Sequence, residues 1–104
     1  MLKANCKKMA NYQLTIKAQI DIEEIYEYSI LNFGIKTARK YLLGLHEKFE
    51  TLANNQSWGN DYDFISSNLF RFEYRSHSIY YQTLGNDILI IRVLGNMQDP
   101  ARHF

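Results

Sequence analysis

Apolar and polar positions recur along this chain with two periods, and each stretch predicts an element. Tyr12–Ile16 (YQLTI) alternates and is rich in β-prone residues, which predicts a first strand. Lys17–Phe33 carries Ile22, Ile25, Tyr26, Ser29 or Ile30, and Phe33 at three- and four-residue spacing, the single apolar stripe of a helix. Asp21, Glu23, Glu24 and Glu27 fall in its first half, where the helix dipole favours anions. Gly34 is a natural stop, able to take a left-handed backbone. Ile35–Ala53 is a second and clearer helix. Ala38, Tyr41, Leu42, Leu45, Phe49 and Leu52 share one face, and Lys36, Arg39, Lys40, Glu47, Lys48 and Glu50 fill the rest. The connection is so short that the two helices must form an antiparallel hairpin. An acidic first helix then lies beside a basic second one, a mildly favourable pairing of solvated faces.

Asn54–Asn68 is polar and glycine-punctuated, and reads as a loop pinned to the core by Trp58, Tyr62, Phe64 and Ile65. Leu69–Gly95 is the stretch around which the chain is organised: period two marks Leu69–Arg75, β-branched and aromatic residues mark Ser78–Thr83, and a continuous apolar run marks Ile88–Leu94. It predicts a three-stranded antiparallel meander: Leu69–Arg75, Ser78–Thr83 and Ile88–Leu94, with reversals at Ser76-His77 and Gly85-Asn86-Asp87. The last of these is too apolar for a solvated edge and reads as a central strand buried on both faces. The tail, Asn96–Phe104, holds the sole proline and reads as irregular. The fold class is therefore α+β, in the order β-α-α-β-β-β: an N-terminal strand, then a two-helix hairpin packed on a small, mostly antiparallel sheet. Residues 1–11 read as a flexible extension and residues 12–104 as a single domain.

A sheet this small gives one face to the helices. If Phe70, Phe72 and Tyr74 take that side, the opposite face shows Arg71, Glu73 and Arg75. Arg92, the one charge in the central strand, is placed to join them. Three arginines would form a local basic patch that the net charge of +1 conceals.

A chain of 104 residues with 46% hydrophobic and 14% aromatic content has enough apolar area for one core. The single cysteine, Cys6, excludes an internal disulfide and a cysteine metal site, and suits a reducing cytoplasm. No apolar run reaches the roughly 18–20 residues of a membrane span, and no cofactor motif is present. Asp61 and Asp63 lack the spacing of a metal loop, and His46 reads as ordinary helix surface. The one set of residues with chemistry is Arg71, Arg75, His77, Tyr80 or Tyr81, Arg92 and His103. Arginines stabilise charge on a phosphate in transition, and a histidine or tyrosine moves protons. Such a set would cut RNA without metal, through the RNA's own 2′-hydroxyl. The same arginines equally suit two-point pairs with an acidic peptide.

The residues resemble the ParE-type toxins of the RelE/ParE superfamily, the toxin half of bacterial type II toxin–antitoxin pairs. The resemblance rests on Ala18, Asp21, Ile22 and Ile25; on Tyr28, Phe33 and Gly34; and on Ala38, Tyr41, Leu42, Phe49, Leu52 and Ala53. Its most specific part is Phe70-Arg71, then Ser76-His77-Ser78-Ile79-Tyr80-Tyr81, Ile90-Ile91-Arg92-Val93-Leu94, Met97 and Asp99. It implies a helical hairpin on a small sheet and a protein that poisons DNA gyrase without being an enzyme. It also implies a cognate ParD-like antitoxin, whose C-terminal helix and extended stretch fill an apolar groove beside sheet and helices. The RelE-like branch instead cleaves mRNA on the ribosome. The absence of lysine from the meander favours the gyrase branch. Gly95, where the family often has histidine, and the ending His103-Phe104 depart from that pattern and keep the nuclease alternative open. A chain that binds antitoxin without toxicity is a third possibility. Expected antitoxin or target contacts are Arg71, Glu73, Arg75, Arg92, Asp99 and Arg102, with exposed apolar residues of the hairpin. The nuclease alternative would use Arg71, Arg75, His77, Tyr81, Arg92 and His103. No metal or cofactor is expected.

Overall fold

The computed structural model describes residues 10–104, so the expected extension over residues 1–9 lies outside it. Ala10 and Asn11 are already tied to the fold. The Ala10 amide donates to Asn54 Oδ1 at 3.2 Å, and the Asn11 amide to Asp87 Oδ1 at 2.9 Å. The elements are β1 (Tyr12–Leu14), α1 (Ile16–Phe33), α2 (Ile35–Ala53), β2 (Asn60–Asp61), β3 (Phe70–Tyr74), β4 (His77–Leu84) and β5 (Asp87–Gly95). Short 3-10 turns occupy Gln56–Trp58 and Pro100–Arg102. The strands form one sheet in the order β1-β5-β4-β3-β2, with β1 parallel to β5 and every other pair antiparallel.

The α+β class and the order of the expected elements hold. β2 is an addition inside the stretch read as loop. It pairs Asn60 with Arg71 and Asp61 with Phe70, and two polar residues are too few to carry a period. The first strand is shorter than expected because Thr15 leaves it to cap α1. Its hydroxyl accepts from the Ala18 amide at 3.0 Å and donates to the Ile91 carbonyl at 2.8 Å. The acids of α1 consequently miss its first turn, where the dipole would act. Among the described residues no ion pair joins α1 to α2, so the expected charge pairing of the hairpin is not made.

The sheet is buried on both sides. Toward the helices, Ile79, Tyr81, Ile88, Ile90 and Val93 meet Ala18, Ile22, Leu45, Phe49 and Leu52, with Phe70, Phe72 and Tyr74 at the margin as the alternation predicts. On the opposite side Leu69, Tyr80 and Leu94 form a second cluster, covered by Tyr62 and Ile65 from the loop. Those two residues pin the loop as expected, whereas Trp58 and Phe64 are exposed. A bulge shifts the alternation within β5, so Val93 joins Ile88 and Ile90 on the helix side and Leu94 joins the opposite cluster. Tyr80 pairs with Arg92 and Tyr81 with Ile90, which leaves Ile91 as an extra residue on β5.

Gly34 is the whole connection between the helices. Its amide closes α1 on the Ile30 carbonyl at 3.0 Å, and its carbonyl opens α2 by accepting from Ala38 at 3.0 Å. It does so at φ 89°, ψ 163°, a backbone conformation that is essentially reserved to glycine. A Cβ there would meet no atom within 4 Å, so substitution strains the backbone alone. Gly34→Ala is expected to lower stability by about 1–3 kcal/mol in urea unfolding without changing the helix content of the folded state.

Candidate functional site

β1 covers β5 only from Ile88 to Ile90, so the outer edge of β5 beyond that point needs other partners. Thr15 takes the Ile91 carbonyl, and Asp21, on the buried face of α1, takes the Val93 amide at 3.0 Å. The same carboxylate holds Arg92 at two points, Nε to Oδ2 at 2.8 Å and Nη2 to Oδ1 at 2.9 Å. Arg92 Nη1 also donates to the His103 carbonyl at 3.4 Å, which ties down the last turn of the chain. Hydrogen bonding to Asp21 holds the Arg92 guanidinium above its ordinary pKa, against the effect of burial. The charge noted in the sequence therefore has a partner: Arg92 is a structural cation.

The expected basic patch is not assembled. By register, Arg71, Tyr80 and Arg92 form one row across β3, β4 and β5. Arg92 turns from that row toward Asp21. Arg71 pairs with Glu73 at 2.9 Å and lies over the Tyr62 ring, 5.6 Å from its centroid. Arg75 does not join the row. It takes φ 56° in the two-residue turn between β3 and β4, which breaks the alternation, and its guanidinium lies over the Tyr74 ring on the helix side. Tyr80 is buried beneath Phe104, with ring centroids 5.1 Å apart. Burial raises its pKa, and the neighbouring Arg71 opposes that shift. Tyr81 belongs to the helix-side core, where its hydroxyl donates to the Gln56 carbonyl at 2.8 Å and accepts from the Gly59 amide at 2.9 Å. It anchors the loop rather than facing a site. Asp99 caps the final 3-10 turn by accepting from the Ala101 amide at 3.1 Å, and Arg102 is exposed on that turn. His46 is also not plain surface. Its Nδ1 lies 2.6 Å from the Tyr12 hydroxyl, and its ring packs edge-on against Phe49.

What the fold does assemble is a cleft at the end of the sheet where β3 turns into β4. One half, of about 310 Å³, is polar and includes Glu24, His77, Arg92, Gln98 and His103 in its lining. The other half, of about 210 Å³, is mostly apolar and is lined by Phe33, Thr37, Tyr41 and Ser76 among others. Tyr28 and His77 line both halves and join them. His77 Nδ1 lies 2.6 Å from the Tyr41 hydroxyl, whose other acceptor, the Tyr74 carbonyl, is at 3.4 Å. Burial pushes the His77 pKa down and the Tyr41 pKa up, which keeps both neutral near pH 7.

The two histidines thus share a cleft, but the arginines do not converge on it as free charges. Sequence reasoning missed Tyr28, Phe33 and Tyr41 as cleft residues, because the surface they form spans α1, α2 and a β-turn. It also missed Asp21 as the partner of Arg92, although an acid in phase with Ala18, Ile22 and Ile25 on the apolar stripe was a usable signal. Among the described residues no group of three or more histidine, cysteine or acidic side chains is placed to hold a metal ion. No described helix is long and apolar enough to cross a membrane.

Residues 12–100 match the profile of a family described as the ParE toxin of the type II toxin–antitoxin system parDE. The chain belongs to the ParE toxin family. It is 27% identical over 95 residues to Toxin ParE1 of Caulobacter vibrioides, covering 91% of this chain and 98% of that protein. Toxin ParE1 of Mycobacterium tuberculosis is likewise 27% identical over 95 residues, covering 90% and 97%. A solved chain from the chromosomal ParDE system of P. aeruginosa superimposes with a TM-score of 0.69 at 22% identity, covering 84% of this chain and 96% of that one. The likeness to it is one of fold: this ParE-family chain shares that architecture.

Arg92→Ala would leave a buried carboxylate facing one amide, and the expected cost is about 3–5 kcal/mol in urea unfolding. Arg92→Lys is expected to recover only part of it, because an ammonium cannot span both carboxylate oxygens. The His77 pKa is lower in the folded chain than in the unfolded one. Acidification through the ordinary histidine range therefore protonates the unfolded state first, and stability falls as pH falls. Comparing unfolding midpoints at about pH 7.5 and pH 5.5 should show a smaller loss in His77→Gln than in the parent, with the pH interval set by the usual histidine pKa.

Proposed function

We propose that this ParE-family chain is the toxin of a type II pair, that it acts by binding and inhibiting DNA gyrase, and that an antitoxin neutralises it by occupying the cleft around Tyr28 and His77. The family match over residues 12–100 carries the toxin reading. The chain offers a contact surface more readily than a reaction centre. Arg92 is neutralised by Asp21, Arg71 is paired with Glu73, and Arg75 lies on another side of the sheet. Arg71 and Glu73, together with Arg102 on the final turn, remain candidate contacts for the target.

The cleft suits an antitoxin segment on physical grounds. Tyr28 and Phe33 are 62% and 63% exposed beside it, so an amphipathic segment gains apolar burial there without unfolding the toxin. The polar half, with Glu24 and the neutral His77, gives such a segment hydrogen-bonding partners at one end. The resulting complex is a hetero-oligomer.

Purified protein added to a supercoiling reaction should inhibit gyrase and accumulate cleaved DNA, and stoichiometric antitoxin should restore supercoiling. Unchanged supercoiling at saturating toxin would remove gyrase as the target. Tyr28→Ala and Phe33→Ala are expected to fold normally and to weaken the antitoxin complex about tenfold or more in titration calorimetry. Undiminished affinity would place the antitoxin elsewhere. The second reading, a ribosome-dependent mRNA endoribonuclease, draws on His77 and His103 lining one cleft. Early mRNA cleavage on induction, abolished by His77→Ala or His103→Ala while supercoiling stays normal, would establish it in place of gyrase inhibition.

A further inference from the structure

The cleft around Tyr28 and His77 does not end at its apolar half. Thr37 and Tyr41, which line that half, also line a further hollow of about 480 Å³ between α2 and the end of β3. Its walls include Lys40, Gly44 and Glu47 of α2, with Tyr74 and Arg75 where β3 turns toward β4. Gly44 lets the Tyr74 ring lie against α2, since a Cβ there would collide with the Tyr74 hydroxyl. Polar half, apolar half and groove thus form one continuous path across the molecule.

The charge along this path changes sign. In the groove it is positive. The Arg75 guanidinium lies over the Tyr74 ring, 5.4 Å from its centroid, and Lys48 Nζ lies over the same ring at 5.9 Å. Lys40 and Arg75 are exposed, and Lys48 is half-buried. The ion pairs among the described residues are Arg71–Glu73 and Arg92–Asp21, so none of these three cations is paired there. Glu47 is the one acid in the groove lining. Two cations held against one ring repel each other, and an anion beside both relieves that repulsion. At the far end of the path Asp21 neutralises Arg92, and Glu24 is an exposed carboxylate. Residues 1–9 supply no counter-charge to the groove, for they contain Lys3, Lys7 and Lys8 and no acid. The chain joins the fold at Ala10, which is bonded to Asn54 beyond the C-terminal end of α2.

We propose, on the reading that this cleft takes the antitoxin, that the bound antitoxin segment is charge-polar and runs with its acidic end into the groove between α2 and the β3–β4 turn. Its apolar side chains cover Tyr28 and Phe33, and its carboxylates pair with Lys40, Lys48 and Arg75. The reverse direction would set those carboxylates against Glu24. From Thr37 to Lys48 the helix rises about 16 Å, a length that about five extended residues span. Tyr74 is taken up by two cations rather than left free to stack a base, which favours a peptide over single-stranded nucleic acid.

The test is titration calorimetry of the cognate antitoxin, isolated from the co-expressed complex, against the full chain and its variants. Lys40→Glu combined with Arg75→Glu should weaken binding about tenfold or more. Lys17→Glu, the same change at an exposed cation near the start of α1, should alter it less than about twofold. Raising sodium chloride from about 50 to about 500 mM should weaken the parent complex more than that of the double variant. Exchanging the acids at one end of the antitoxin segment for lysine should restore affinity for the double variant. Circular dichroism reports whether each variant folds. If the double variant does not, Lys40→Gln and Arg75→Asn, the latter suited to φ 56°, make the same test with a smaller expected loss. Tyr28→Ala is measured beside them to separate the two claims. A complex weakened by Tyr28→Ala and indifferent to the charge variants overturns the polarity and leaves the cleft reading standing. Indifference to all of them removes both. A double variant that keeps antitoxin affinity and no longer inhibits gyrase assigns the groove to the target and also overturns the proposal.

Discussion

The carboxylate of Asp21 is the point on which this small fold depends. β1 is only three residues long and leaves the outer edge of β5 bare after Ile90. An unpaired strand edge beside a hydrophobic core is costly, because buried amides need acceptors and an open edge invites other strands. Asp21 resolves this from the neighbouring helix by accepting from the Val93 amide and from two nitrogens of Arg92. One acidic side chain therefore fixes the position of α1 along β5. Through the Arg92 contact with the His103 carbonyl, it also sets the path of the last residues. The cleft lies beside this junction, with Asp21, Arg92 and Val93 among its lining residues.

The same interaction decides what the arginines can do. A guanidinium held at two points by a buried carboxylate has little net charge left for a phosphate or an acidic peptide. Arg92 is accordingly a strut, and the basic face expected from strand alternation is reduced to Arg71, itself balanced by Glu73. Charge that alternation places on one face is redirected by partners from another layer. A positive φ at Arg75 has a similar effect, turning a residue of the strand pattern toward the helices.

Much of this molecule was legible in its sequence. The helix stripes placed α1 and α2 within one residue of their observed limits, because the buried face of a helix must recur every three to four residues. Strand β3 followed from period two, β4 from its β-branched and aromatic residues, β5 from an apolar run buried on both faces, and Gly34 from the stop that a short helix connection needs. β2 was illegible, since its two polar residues form a strand only because β3 offers them an edge. Thr15 was read as strand because its β-branched side chain gave no sign that its hydroxyl would cap a helix. The face shared by Arg71 and Arg92 was legible from alternation, but Arg75 was wrongly placed on it, and the direction in which Arg92 leaves it was not legible.

Local patterning alone determined the element types, the hairpin, which residues of β3 share a side and the resemblance that led to the ParE family, because each depends on residues close together in the chain. Tertiary structure alone decided which charges are free and which surfaces are open. The Asp21–Arg92 pair joins residues 71 apart in sequence, and the Tyr41–His77 contact joins residues 36 apart. No periodicity encodes such meetings. They arise when the packing of α1 and α2 on the sheet brings polar groups out of water, where each must find whichever partner the fold has placed within reach.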